Sequence, residues 1–144
     1  MITQDYLMRM LLVFFQALMR ARSRALNNKD MQGAADMLEQ TVGDAANMDA
    51  STLLSLSPDS LSGILGATGT DPKLTEFMAR SLMQAAEYRE KAGQSEVAEL
   101  RRQQARAIAD AYGHDLTIAM EDFLQKYDFS EEDFEEEEEE GSCK

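Results

Sequence analysis

Residues 3–27, TQDYLMRMLLVFFQALMRARSRALN, hold the densest apolar run of the chain and most of its clustered positive charge. Wound as a helix they extend ~37 Å at 1.5 Å per residue. Leu7, Leu11, Phe14, Leu18, Ala21 and Ala25 recur at alternating steps of four and three, which draws one buried stripe along such a helix. Met8, Leu12, Phe15 and Met19 widen the stripe on one flank; Tyr6, Met10, Val13 and Ala17 widen it on the other. The remaining narrow face carries Asp5, Arg9, Gln16, Arg20 and Arg24, with Asp5 and Arg9 at a favourable i,i+4 spacing. About two thirds of the circumference is therefore apolar, more than a surface helix normally exposes. Such an element sits near the centre of a helical domain, meets another chain, or lies on a membrane.

Arg9, Gln16 and Arg20 interrupt the run well before the ~20 apolar residues that a membrane span requires. Asp5 in the would-be basic leader, and the lack of a small-x-small site after the run, argue against a cleaved signal peptide. Arg20, Arg22, Arg24 and Lys29 cluster just past the apolar residues, so attachment to a membrane surface remains an alternative.

At 144 residues the chain is long enough to bury a core without covalent staples. With only two Pro and eight Gly, long stretches of Ala, Leu, Met, Glu, Gln and Arg run unbroken, and Val and Ile are scarce. The expectation is an all-α fold, a compact bundle of about five to seven helices. It should occupy residues 1–129 as a single domain, with residues 130–144 a disordered acidic tail. The lone cysteine, Cys143, excludes an intramolecular disulfide framework and fits a reducing cytoplasm.

Charge is polarised along the chain. Residues 1–29 carry five Lys/Arg against one Asp; residues 115–144 carry two against thirteen acids, and the net charge is −13. That balance excludes ordinary nucleic-acid binding, which needs a basic face. A basic helix at one end and an acidic segment at the other are free to attract each other, within or between chains.

Asp30 offers an N-cap for a second helix over 31–46, with Met31, Ala34, Leu38, Val42 and Ala45 on one face. Leu53, Leu54 and Leu56 point to a short helix beginning near Ser51. Ser57-Pro58 starts another with Leu61, Ile64 and Leu65 facing in. Asp71-Pro72 repeats that start signal for a long helix to about Ala92, striped by Leu74, Phe77, Met78, Ser81, Leu82, Ala85 and Tyr88. Gly93 is placed to end it in the left-handed conformation. Ser95 is placed to cap a helix over 96–112 that Gly113 terminates, with Val97, Leu100, Ile108 and Ala111 pointing inward. The two-residue connection Gly93-Gln94 forces these helices into an antiparallel hairpin. A last helix is expected over 116–127, with Leu116, Ala119, Met120, Phe123 and Tyr127 on one face. Beyond it, Glu135 to Glu140 repel one another and have nothing apolar to bury.

The opening Asp5-Tyr6-Leu7-Met8-Arg9, leading into a long apolar helix, resembles a family of short bacterial proteins known only as a domain of unknown function. The hairpin at 72–113 also resembles a tetratricopeptide helix pair, with Ala86, Ala98 and Ala105 where that repeat keeps small residues for close helix crossing. No second copy follows at a 34-residue period, so the concave groove of tetratricopeptide arrays is not implied. The family resemblance implies a bacterial, tetratricopeptide-like helical fold and brings no activity with it.

No constellation commits to catalysis. His114 is the sole histidine and is expected to be exposed beside a helix terminus. No phosphate-binding loop, nucleophile elbow or dinucleotide glycine pattern is present, and no cofactor or metal is expected. The sequence points to a non-catalytic cytoplasmic protein that binds a protein partner or its own twin, as in a homodimer. The expected surface is the first helix, with Met8, Leu12, Phe15 and Met19 as contact residues and Arg9, Arg20 and Arg24 as the polar rim.

Overall fold

A computed structural model describes residues 4–125 and residue 127. The expected acidic tail, with Phe134 and Cys143, lies outside the described residues. Among those described there are seven helices and no strand: α1 (Gln4–Asn27), α2 (Met31–Ala45), α3 (Ala50–Leu53), α4 (Pro58–Ala67), α5 (Pro72–Lys91), α6 (Ser95–Tyr112) and α7 (Met120–Gln125). The all-α bundle read from composition and periodicity is the fold observed.

Local chemistry sets most of the helix starts. Asp30, Asp49, Ser57 and Asp71 each accept a backbone N–H two or three residues on, satisfying a donor that the first helical turn leaves open. Pro58 and Pro72 sit at the start of α4 and α5, where a missing N–H costs nothing. Helix α6 departs from this rule. Gln94 precedes it without a side-chain cap, and the Ser95 hydroxyl, expected to cap, instead donates to Glu90 at 2.7 Å. Gly93 and Gly113 adopt φ of +82° and +74°, the left-handed conformation that ends α5 and α6 without a Cβ penalty.

Packing runs through two helix hairpins. α1 folds back onto α2, α5 folds back onto α6, and α2 docks on α5 to join the pairs. α4 covers the outer side of α6, and α3 lies across α2. At that last crossing a Cβ on Gly43 would come within 2.8 Å of Ala50 Cα, so the glycine that weakens α2 is also what lets α3 approach. The central element is α5, not α1: twelve of its twenty residues are buried, including Phe77, Met78, Ala79, Leu82, Ala85 and Ala86. All six residues of the α1 stripe are buried as the spacing predicts, but α1 packs on α2 and α5 rather than within a surrounding shell.

Helix α7 is shorter than expected. Asp115 accepts from the Thr117 N–H and hydroxyl, and the carbonyls of Asp115 and Ile118 accept from Arg80. Those groups are thus satisfied outside a helical ladder, and residues 114–119 cross to α5 as turn and loop. Phe123 then closes an aromatic chain. Its ring lies 4.8 Å from Phe77, which in turn lies 5.7 Å from Phe14 and 5.2 Å from Tyr127.

Candidate functional site

The residues singled out on α1 fall into different environments. Met8 and Arg9 are exposed, Leu12, Met19 and Arg20 are half-buried, and Phe15 is buried at 6% exposure. Phe15 is therefore not an available contact residue. Arg24 is exposed but engaged: its Nε donates to Asp30 at 2.8 Å and so buttresses the cap of α2. That leaves Met8, Leu12 and Met19, with Arg9 beside them, as the open part of the expected surface.

The structure extends this flank. Leu26 stands seven residues past Met19, on the same side of the helix, and is the most exposed large apolar residue of α1 at 62%. Between the C-terminal half of α1, the C-terminal half of α5 and α7 runs a trough of about 330 Å³. Leu18, Met19 and Leu26 form one wall; Gln84, Tyr88 and Lys91 form the floor; Met120 and Leu124 form the other wall. Arg22 and Lys91 bring positive charge to its rim, and Glu87 and Glu121 bring negative charge. Lys91 Nζ lies 3.8 Å from Glu87 Oε1, so part of that charge is already paired. Leu26 was legible in the heptad spacing; the contributions of α5 and α7 depend on tertiary docking and were not.

A second concentration of chemistry lies on the opposite side of α5. Glu39 of α2, 7% exposed, accepts from Arg89 Nε at 3.1 Å and Nη2 at 2.8 Å, and from Arg101 Nε at 2.8 Å. Arg89 also donates to Asp36 and to Gln94, while Arg101 donates to the Leu54 carbonyl and to Gln104. Gln104, fully buried, spends its amide on the carbonyls of Leu54 and Leu56. Burial raises the Glu39 pKa, but hydrogen bonds and charge from Arg89 and Arg101 outweigh it and hold the carboxyl below its ordinary 4.5. Bonding to Glu39 likewise holds the Arg89 proton more firmly than usual.

This cluster borders a cavity of about 500 Å³, into which polar groups of α2, α3, α5 and α6 converge. The convergence is consumed internally. Each nitrogen of Arg89 and Arg101 already donates to a carboxylate, an amide oxygen or a main-chain carbonyl, so most of their donor capacity is spent within the fold. What the cluster does is lock the first hairpin to the second and fasten the 54–56 turn to α6.

His114 is not the exposed residue expected from its place after Gly113. Its Nε2 lies 2.9 Å from Thr75 Oγ1, its Nδ1 lies 3.9 Å from Glu76, and its ring stacks on Tyr112. It docks the end of α6 onto the start of α5. Among the described residues, no three His, Cys, Asp or Glu gather with metal-ligand geometry, and no helix is long and apolar enough to cross a membrane. No protein-family model matches the chain, and neither curated proteins nor solved structures give a match.

Proposed function

We propose that this protein is a non-catalytic self-assembly module, whose working surface is the open flank of α1 together with the trough it shares with α5 and α7. The observation that carries this reading is the partly exposed apolar track Met8, Leu12, Met19 and Leu26, of which Met19 and Leu26 also line the trough. An amphipathic helix laid into such a groove buries apolar residues at i, i+4 and i+7 spacing, and Met8, Leu12, Met19 and Leu26 of α1 stand at steps of four and seven outside its buried stripe. The rim offers both signs of charge, Arg22 and Lys91 against Glu87 and Glu121. In an isologous interface the same residues of both copies meet, so Arg22 of one copy has Glu87 and Glu121 of the other as partners of opposite charge.

Mixed charge at the rim also weighs against peripheral membrane attachment, the alternative use of the same helix. Glu87 and Glu121 border the surface that an anionic bilayer would approach, and like charges repel there. A catalytic role has less support still, since the polar groups that do converge are bonded to one another.

Solution mass tests the proposal. Light scattering behind a sizing column should give a dimer that persists at high salt, because its centre is apolar and screening reaches only the rim. Met19→Asp combined with Leu26→Asp should return it to monomer with its helical content intact. A wild-type monomer at every concentration and salt, or a dimer indifferent to both substitutions, would rule the surface out. Co-flotation with anionic vesicles instead would favour the membrane alternative.

A further inference from the structure

The connection that follows α6 is fastened to α5 at two points. Arg80 holds its far part, donating Nη1 to the Ile118 carbonyl at 2.8 Å and Nη2 to the Asp115 carbonyl at 3.0 Å. A guanidinium keeps its charge at any ordinary pH, so that hold does not vary with acidity. His114 holds the near end, and its hold depends on a proton. The ring is the sole histidine of the chain, its side chain 11% exposed, and it lies between the first turn of α5 and the Tyr112 ring. Its Nε2 is 2.9 Å from Thr75 Oγ1, and that oxygen is in turn 2.9 Å from the Pro72 carbonyl. Its Nδ1 is 3.9 Å from Glu76 Oε1, within ion-pair range though longer than a hydrogen bond.

Three polar contacts thus stand in series, and a neutral ring leaves them one hydrogen short. The Thr75 hydroxyl brings one hydrogen and a neutral imidazole brings one. If Thr75 donates to Pro72, Nε2 must carry the ring hydrogen, and the bare Nδ1 lone pair faces the Glu76 carboxylate. If Thr75 donates to Nε2 instead, the ring hydrogen moves to Nδ1, and the oxygens of Thr75 and Pro72 meet with none between them. A second ring proton completes all three contacts at once and sets a cation beside Glu76. Hydroxyl, imidazole and carboxylate in series also resemble a nucleophilic triad, but Thr75 is fully buried, out of reach of a substrate.

The surrounding charges favour that proton. α5 supplies Glu76, with Arg80 3.7 Å from the same carboxylate, and the Asp71 cap. The connection supplies Asp115, which bonds from Thr117 hold below its ordinary pKa. Burial pushes up the phenols of Tyr112 on α6 and of Tyr127 beyond α7, so both stay neutral. Lys73 of α5 and Asp110 of α6 are exposed, where water and salt screen them, and their signs offset. Asp71, Glu76 and Asp115 therefore stand against the Arg80 cation across this junction. We infer that His114 is a proton-operated latch. Taking up a proton between Thr75 and Glu76 fastens the start of the 114–119 connection to α5; losing it loosens that connection while Arg80 keeps the other end. The latch acts whether or not copies pair.

NMR of the untagged full chain reads the ring directly, since the sequence holds one histidine. Proton uptake should centre above about 6.5, the midpoint of an exposed histidine. The stabilisation it brings is then fully present below about pH 6.5 and lost as pH rises through the higher folded midpoint. Urea unfolding reads the same linkage. The ratio of wild-type to His114→Gln folding constants should fall several-fold between about pH 6 and about pH 8, toward the roughly tenfold equivalent of a one-unit shift. Glu76→Gln keeps the shape of its side chain without the charge, and should remove most of that pH dependence. A midpoint at or below about 6.5 overturns the latch, and so does a wild-type advantage that stays constant with pH. Unaltered pH dependence in a folded Glu76→Gln protein overturns it as well, because another group then holds the proton. Should either variant fail to fold, the wild-type titration decides alone.

Discussion

Replacing Glu39 by alanine is expected to lower the unfolding free energy by about 3 kcal/mol, at the lower end of the range for breaking a buried ion pair. The cost arises mainly from what is left behind. Arg89 and Arg101 each lose the carboxylate on which two of their nitrogens rest. Asp36 and Gln94 still engage Arg89, and the Leu54 carbonyl and Gln104 still engage Arg101, which keeps the loss from being larger. Urea titration should show a lower midpoint with an unchanged slope, the mark of altered stability without altered unfolded-state compactness. Replacing Glu39, Arg89 and Arg101 together by apolar residues of similar volume should recover most of the loss, because no buried charge then remains unpaired.

Glu39 also gives the fold an acid limit. Its pKa is depressed in the folded protein, so its contribution to stability is fully present above the ordinary value of 4.5. It disappears as pH falls from there through the depressed folded value, when protonation in the native state catches up with that in the unfolded chain. Glu39→Gln should therefore be less stable than wild type near neutrality and converge with it in strong acid. A constant difference across that window would show that the carboxylate charge is not what the two arginines hold.

Phe77→Ala is expected to cost about 3–5 kcal/mol, the range for deleting a buried aromatic side chain and leaving a cavity. At about 3 °C per kcal/mol for a chain of this size, the melting temperature falls by about 10 °C. Phe77 is fully buried and is the ring on which Phe14, Phe123 and Tyr127 converge, so α1, α5 and α7 lose a common contact at once. Phe123→Ala, which also deletes a fully buried ring, should fall in the same range. Hydrogen exchange should show the amides of residues 120–125 losing protection in Phe77→Ala while those of α6 keep theirs. Equal loss in both would mean that α7 and α6 open as one unit.

Helix positions were largely legible because local chemistry dictates them. Asp30, Ser57-Pro58, Asp71-Pro72, Gly93 and Gly113 act within four residues of where they stand, and each marks the boundary it announces. Apolar periodicity placed the buried faces of α1, α2 and α5 for the same reason. Its failures came where a face contains polar residues whose partners are far away in sequence. Glu39, Arg80, Arg89 and Gln104 look like ordinary solvated positions on their helices, yet they are buried because partners 35 to 62 residues distant complete their hydrogen bonds. Val97 and Ala111, assigned inward by periodicity, are exposed for the complementary reason: the buried face of α6 runs through Ala98, Gln104, Ala105, Ile108 and Ala109 and packs mainly on α5. The trough was hidden likewise, since its floor and far wall come from Gln84 and later residues, 57 or more beyond the end of α1 at Asn27 (84 − 27 = 57).

Methionine methyl spectra offer the most direct test of the self-assembly surface. Met8, Met19 and Met120 lie on or beside the α1 flank and trough, whereas Met31, Met48 and Met78 belong to other parts of the core. With all ten methionine methyls labelled with carbon-13, a dilution series at constant salt reports which of them change environment as copies pair. Assembly through α1 predicts concentration-dependent shifts at Met8, Met19 and Met120, with Met31, Met48 and Met78 unmoved. Shifts confined to Met31 or Met48, or spectra that do not change with concentration, would contradict it.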